Sequence, residues 1–390
     1  MMANKVDDLV PEEIFHWMVE IRRAIHQYPE TAFQEHRTAA LITKELQALG
    51  LEIQTGIAQT GVIAYLNNPN AGPTIAFRAD MDALPITEET GLPFASQKPG
   101  FMHACGHDGH IAILLGAVAL LKKELLPANL VFIFQPGEEG GGGAKYMVEA
   151  GILDGVDAIF ACHLDPHFWL GEVSLRPGPV TAFTERFTIE IKGRGGHAAR
   201  PHEAVDAIVV ASSMVLALQT VVSRQIDPTM PAVVSIGRIE GGTTFNAIAD
   251  TAVLKGTIRT TDPRVRKEIR AAMNRIAQRT ASMHKAKAEL VFEGGYPAVI
   301  NSPKETMLAN RAIRNILGDQ ARVKRPYISL GGEDFAYYLQ KVPGCFIRIG
   351  TREKGTPFIP NHSPRFDFGE DALKVGAALF VEIAHIYCKT

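Results

Sequence analysis

The stretch NLVFIFQPGEEGGGG, residues 129 to 143, decides the fold. An uninterrupted apolar run gives way at once to a polar, glycine-rich loop. A strand exposed on one face alternates apolar and polar residues, so a continuous run reads as a strand buried on both faces. The segments GVIAYL (61 to 66), TIAFRAD (74 to 80) and DAIFACH (157 to 163) repeat the pattern. Between them lie helical segments: 11 to 27, opened by Pro11-Glu12-Glu13; 36 to 49, stopped by Gly50; the apolar run after His107; and 143 to 150. Alternating strands and helices predict an α/β domain with helices on both faces of its sheet.

From Thr184 the texture changes, because TERFTIEIKG alternates as a half-exposed strand does. A helix (203 to 224), the strands AVVSIGRIEG and TAVLKGTIRT, a helix opened by Asp262-Pro263 (263 to 283) and the strand AKAELVFEG follow. The order β-α-β-β-α-β is the ferredoxin-like arrangement. After Tyr296-Pro297 the first texture returns, with a helix at 303 to 317, another after GGEDF, the strand CFIRIGT and a closing helix from about 369. The expected organisation is a catalytic domain in two parts, 1–183 and 294–390, interrupted by an inserted domain, 184–293.

The chain of 390 residues is 46% hydrophobic and 21% charged, with a formal net charge of −2. That balance gives no reason to expect nucleic acid or an anionic membrane as partner, since both select a basic surface. No uncharged apolar run reaches the ~18 residues of a membrane span. The opening MMANKVDDLVPEE is too polar for a signal peptide, so the expected location is the cytoplasm. The four cysteines, Cys105, Cys162, Cys345 and Cys388, form no CxxC pair, which argues against a disulfide framework.

Four polar clusters follow strands of the first domain: RADMDALP after TIAF, QPGEEGGGG after NLVFIF, CHLD after DAIFA, and NHSPRFDF after CFIRIGT and its loop. The carboxyl ends of strands form the ligand crevice of open α/β sheets. A fifth cluster, MHACGHDGH (102 to 110), opens the apolar helix. Together they offer thiolate, imidazole and carboxylate, a donor set that suits zinc and related divalent metals. Taken singly, each has a plainer reading. Cys105 reads as a buried apolar residue, one of His107 and His110 as a cap or packing residue, and Asp108 as the helix cap. Glu138-Glu139 reads as a solvated loop, and His163 as a core or surface histidine.

The set FRADMDALPI, MHACGHDGH, FQPGEEG, CHL, GRGGHAARPHEAVDAI, GGEDF and NHS resembles the co-catalytic metallopeptidase family of aminoacylases, hippurate hydrolase, plant auxin-conjugate amidohydrolases and carboxypeptidase G. The resemblance runs through nearly the whole chain in order. It implies a zinc-exopeptidase-like catalytic domain, with a central mixed sheet covered by helices, and a ferredoxin-like α+β lid or dimerisation domain. It implies a homodimer or higher homo-oligomer, and two divalent metal ions, whether zinc, manganese, nickel or cobalt. Cys105 would bridge them, with His107 and His163 completing one site and Glu139 and His362 the other. The broader family carries His-x-Asp where this chain has Asp80-Met81-Asp82. His107 takes that histidine's place, and Asp82 becomes the carboxylate that orients a ligand imidazole.

The implied reaction is hydrolysis of the amide bond of an N-acyl amino acid by a metal-activated water, with Glu138 as general base. His197 would stabilise the oxyanion, in its own subunit or a neighbouring one. Asn246 and Arg259 would bind a substrate carboxylate, and Gly331 and Gly332 would let backbone approach the ligand. Arg259 also reads as a solvated strand end, Asn246 as a turn residue, and the glycine pair as a plain turn.

Three other readings compete. A carboxypeptidase or dipeptidase of the same family breaks the same kind of bond. A metal-bearing binding protein of the same fold would lack the base, which this chain retains. A dinucleotide-binding oxidoreductase is suggested by Gly193-Arg194-Gly195-Gly196-His197-Ala198, but Pro201 interrupts the helix that must follow.

Overall fold

The computed structural model describes residues 5–68, 72–318 and 328–389. The chain forms two compact units, one of Met1–Val180, Val299–Tyr327 and Asp334–Thr390, the other of Thr181–Ala298 and Ile328–Glu333. The second unit extends slightly beyond residues 184–293. Its first and last segments are tied together, since Thr184 N–H donates to the Tyr296 carbonyl at 2.9 Å and Tyr296 N–H to Thr184 Oγ1 at 2.8 Å.

The first unit is built on seven strands: β1 (Glu52–Ile57), β2 (Gly61–Leu66), β3 (Thr74–Asp80), β4 (Asn129–Gln135), β5 (Ala158–Trp169), β6 (Val173–Ser174) and β15 (Gly344–Arg352). Their order across the sheet is β1-β2-β4-β3-β5-β15-β6. The central four, β4, β3, β5 and β15, are parallel, and the flanking pairs are antiparallel. The continuous apolar runs follow from burial on both faces. Ile75, Phe77, Leu130, Phe132 and Phe160 point into one core, with Met18, Ile21 and Ile25 of α2 (Glu12–His26), α4 (His107–Leu121) and α10 (Asp371–Tyr387). Ala76, Val131, Ile133 and Ile159 point into the other, with Ala144 and Met147 of α5 (Gly143–Glu149) and Ala336 and Tyr338 of α9 (Ala336–Leu339).

The first core also takes in α1 (Lys5–Leu9), α3 (His36–Ala48) and α8 (Pro303–Leu317). Sequence reasoning missed α1, which is short, and β1, whose side chains are mostly exposed and show no apolar run. It also ended β5 at His163, whereas the strand continues to Trp169. Asp165 lies within it, paired with Arg348 Nη1 of the neighbouring strand at 2.8 Å. That ion pair makes a polar stretch compatible with mid-strand.

The second unit has β8 (Phe183–Lys192), α6 (Ala207–Thr220), β10 (Ala232–Gly241), β12 (Thr251–Thr260), α7 (Pro263–Met283) and β13 (Lys287–Glu293). The sheet order is β10-β12-β8-β13, antiparallel throughout. This is the βαββαβ arrangement. Phe187, Ile189, Leu254 and Ile258 share one core with Val210, Met214 and Leu218 of α6 and Ile269 and Met273 of α7, so both helices cover the same face. Helix α6 starts later than 203, because the Asp206 side chain caps it by accepting from Ile208 N–H at 2.9 Å. With the π turn that follows, Ala207–Gln225 is long and apolar enough to cross a membrane. Its inner face belongs to this core, and Ile208, Val209 and Leu216 are exposed.

Two short ribbons complete the strands: β7 (Gly178–Pro179) with β14 (Ile300–Asn301), and β9 (Gly196–His197) with β11 (Ala247–Ile248).

Candidate metal centre

Parallel strands bring their carboxyl ends to one edge of the sheet, and α4 opens there. Gly109 allows a close approach, since a Cβ on it would lie 2.5 Å from Leu164 Cδ1 and 2.6 Å from Phe368 Cζ. The approach brings Cys105 Sγ to 3.5 Å from His163 Nε2. His163 Nδ1 donates to the Leu164 carbonyl at 2.8 Å, and His107 Nδ1 donates to the Asp82 carbonyl at 2.8 Å. A carbonyl can only accept, so both imidazoles carry a proton on Nδ1, which leaves Nε2 as the atom that faces a cation. Nε2 of His107 is buried and has no hydrogen-bond partner. One donor atom each from Cys105, His107 and His163 lie within 4.8 Å of one another.

A second group shares the cysteine: donor atoms of Cys105, Glu139 and His362 also lie within 4.8 Å of one another. His362 Nε2 is 3.0 Å from Glu139 Oε1, yet that oxygen makes no aligned hydrogen bond. His362 sits at φ 67, a left-handed conformation uncommon for a side chain of this size. Two bonds hold it there: His362 N–H to the Ala104 carbonyl at 2.7 Å, and Asn361 Nδ2 to the Cys105 carbonyl at 3.3 Å.

The glutamate pair sits in the loop after β4. The Asp82 carboxylate accepts from Glu138 N–H on Oδ1 at 3.0 Å and from Glu139 N–H on Oδ2 at 2.8 Å. Asp82 therefore fixes the loop with its carboxylate and His107 with its main-chain oxygen, and the same carboxylate also lies beside the His107 imidazole. The distance from Asp82 Oδ1 to His107 Nδ1 is 3.4 Å. Glu138 is 7% exposed, and Asp334 N–H donates to its Oε1 at 3.3 Å. Donor atoms of His107, Glu138 and Glu139 fall within the same 4.8 Å span. The Glu138-Glu139 pair is thus no solvated loop.

Behind these groups lies a charged network that sequence reasoning left unassigned. Asp80 Oδ1 is 2.5 Å from His110 Nδ1, and Asp80 Oδ2 accepts from Arg78 Nη1 at 2.6 Å. Burial alone would push the Asp80 carboxyl up; His107, Arg78 and His110 outweigh it and hold the group well below the usual carboxylate range. His110 Nε2 accepts Leu164 N–H at 2.9 Å, so both its ring nitrogens are engaged although it lies near Asp80 and His107. Arg78 Nη2 and Gln135 Nε2 both donate to Asp334. Asp108 does not cap α4; its buried carboxylate accepts from Arg22 Nε at 3.0 Å and His26 Nδ1 at 2.8 Å.

The remaining sequence candidates lie in the second unit. His197 and Asn246 are neighbours on the β9–β11 ribbon, where Ala198 N–H donates to the Asn246 carbonyl at 3.1 Å, and both side chains are exposed. Arg259 is on β12, half-buried, and among the described residues no acid pairs with it. Gly332 closely approaches protein rather than open space: a Cβ there would lie 2.9 Å from Thr184 Cγ2 and 3.1 Å from Tyr296 Cδ2. Gly331 N–H donates to Ser329 Oγ at 3.0 Å.

Residues 76–385 match peptidase family M20/M25/M40. The chain belongs to this family. It is 41% identical over 372 residues to thermostable carboxypeptidase 1 of Saccharolobus solfataricus, covering 94% of each chain. It is 43% identical over 336 residues to N-acetyl-L-cysteine deacetylase of Bacillus subtilis, covering 86% of this chain and 80% of that one. Among solved structures, the Bacillus subtilis YXEP protein, a dinuclear metal binding peptidase of the M20 family, superposes with a TM-score of 0.87 at 38% identity, over 97% and 99% of the two chains.

The residues of this M20 chain fit a pair of divalent cations. Unpartnered buried atoms on His107 and Glu139 converge with a thiol and two further imidazoles, and hydrogen bonds to carbonyls set two of those imidazoles in the tautomer that ligates. Burial, then the positive sides of His110 and Arg348, keep His163 well below the usual imidazole range and hence neutral. Burial, helped by Glu139, pushes the Cys105 thiol up. Cys105 and Glu139 push His362 up to about 10. Cations entering here would displace protons from Cys105 and His362, the behaviour of a ligand set formed for metal.

Proposed function

We propose that this M20 chain is a metal-dependent hydrolase that cleaves the amide bond of N-acyl amino acids. The observation that carries the reading is the pair of donor groups that share Cys105, beside the buried carboxylate of Glu138. Cys105, His107 and His163 would hold one divalent cation, and Cys105, Glu139 and His362 the other. Such a pair polarises a carbonyl and makes water a stronger acid. Thiolate and imidazole donors favour zinc, cobalt or nickel, and manganese competes through the carboxylate.

Glu138 removes the proton of the attacking water and returns it to the departing amine, so that amide and water yield acid and amine. Burial removes competing solvent from the carboxylate, and Asp334 fixes its orientation through the bond to Oε1. His197 is our choice for stabilising the oxyanion, and Asn246 and Arg259 for binding the substrate carboxylate. Adjacency of His197 and Asn246, and the guanidinium of Arg259, which no acid pairs among the described residues, support these roles. Gly331 and Gly332 are left out of the substrate site, because their close neighbours are Ser329, Thr184 and Tyr296. The exposed apolar face of α6 and the edge strand β10 support a homodimer through the second unit.

A carboxypeptidase or dipeptidase reading uses the same groups, and one relative bears the name carboxypeptidase. One experiment covers both. Chelated protein is given zinc, manganese, nickel or cobalt in turn and offered a pool of N-acetyl and N-benzoyl amino acids and dipeptides, with products read by mass spectrometry. Metal-restored cleavage of acylated members is expected, and cleavage of the dipeptides alone would favour the second reading. Glu138→Gln should keep its metal and lose turnover by at least ~100-fold. No cleavage with any metal would sink the hydrolase reading.

A further inference from the structure

Glu35 has no role in the site as described, yet it reaches into it. It stands at the start of α3, fully buried, and three donors converge on its carboxylate. Oε1 accepts Phe33 N–H at 3.0 Å and Gly137 N–H at 2.9 Å, and Oε2 accepts the Thr60 hydroxyl at 2.5 Å. Asp82 takes the N–H groups of the next two residues, Glu138 and Glu139. Two buried carboxylates from distant parts of the chain therefore hold three consecutive amides of one loop. The loop has little freedom left: Gly137 is at φ 63, and the Phe33 ring lies where any Cβ on it would sit, 2.9 Å away. Phe33 itself adopts φ 62, held by its bond to Glu35.

We propose that Glu35 is a positioning residue for the Glu138-Glu139 loop, an inference that rests on the hydrolase reading above. It anchors Gly137, and so sets where Glu138 meets the water and where Glu139 presents its oxygen. A buried acceptor in the N-terminal segment is suited to this task. It has no solvent to compete for the Gly137 amide, and leaving that amide unpaired would let the loop turn away.

The test uses the full chain and four variants. Glu35→Ala removes the anchor, whereas Glu35→Gln keeps one oxygen for Gly137 N–H and turns its amide group toward the Thr60 hydroxyl, which can accept. Thr60→Val removes the hydroxyl partner of Glu35 and leaves the Phe33 and Gly137 bonds in place. Glu35→Asp, one methylene shorter, serves where the alanine variant does not fold. Zinc affinity is read by competition with a chelating dye, turnover by kcat and KM separately, and folding by thermal melting.

Glu35→Ala, or Glu35→Asp in its place, should weaken zinc binding and lower kcat, each by about 10–100-fold, as loss of a group supporting metal ligands does. Glu35→Gln and Thr60→Val should stay within about threefold of the parent in both, well short of that range. Parent-like zinc affinity and kcat in the variant that loses the anchor would overturn the inference. So would an equal loss in Thr60→Val, which would make Glu35 a stability residue only. Absence of metal-dependent turnover in the parent chain would instead count against the hydrolase reading, and zinc affinity would still report on Glu35.

Discussion

Asp80 Oδ1 lies 2.5 Å from Nδ1 of His110, both side chains fully enclosed, and through that contact the end of β3 governs a histidine in the first turn of α4. Asp80 fixes the proton on His110 Nδ1, which leaves Nε2 to accept Leu164 N–H. Leu164 in turn receives His163 Nδ1 on its carbonyl. Asp80→Asn removes the charge that Arg78 and His110 face, which takes the anion from His110 while Arg78 keeps Asp334. Metal affinity should fall about 10–100-fold with Glu138 chemistry otherwise intact. Isothermal titration with zinc checks it, and parent-like affinity would show that the Asp80–His110 contact does not support His163.

Metal uptake should be strongly pH-dependent. Cys105 is pushed up by burial and His362 to about 10 by Cys105 and Glu139, so both carry protons at neutral pH before a cation arrives. Binding then releases protons, and affinity rises with pH. Each released proton contributes about tenfold per pH unit. Titrations between about pH 6 and about pH 8, in buffers of different ionisation enthalpy, read the proton count directly. A flat profile would mean that the cysteine or the histidine is not a ligand.

The buried trio Arg22, His26 and Asp108 makes a separate prediction about stability. Burial opposes the charge on His26, but Asp108 and Glu88 beside it raise the imidazole from 6.5 to about 9. A raised folded value gives stability that is fully present below the unfolded value and lost as pH rises through the folded one. His26→Gln should therefore melt lower than the parent at about pH 6, by an amount on the order of 2–3 kcal/mol. The gap should close toward about pH 9.5. Thermal melts across that window check the sign, and a gap that widened with pH would refute the assignment of a charged His26.

Much of this was legible in the sequence, for identifiable reasons. Strands β3, β4 and β5 announce themselves because both faces of a central parallel sheet are buried, which leaves only apolar residues in the run. The metal-centre candidates lie close together in sequence or at strand ends, so Cys105, His107 and the Glu138-Glu139 pair stand out. Glu35 and Asp334 do not, because each acts through main-chain amides far away in sequence, and one glutamate in QEHRTA looks like any other. The same limit hid the true partner of Asp108, since only the fold brings Arg22 and His26 to it. A buried strand has a period to read; a long-range hydrogen bond has none.

The final prediction concerns association. On α6, Val209 is 49% and Leu216 73% exposed, an apolar face with β10 at the sheet edge of the same unit. A second copy of the chain would cover both. Leu216→Glu alters a side chain that the monomer leaves in solvent, so folding should survive. Placing a carboxylate in an apolar interface should weaken the dimer by ~100-fold or more. Sedimentation velocity at micromolar concentration should show a dimer for the parent and monomer for the variant, and a parent that sediments as a monomer would rule the association out. The same dimer allows a test of His197. If that imidazole serves the partner's site, mixing His197→Ala with Glu138→Gln protein creates mixed dimers in which one site has both groups. Statistical exchange would then restore about a quarter of the parent turnover. No recovery after verified subunit exchange would confine His197 to its own subunit or remove it from the reaction.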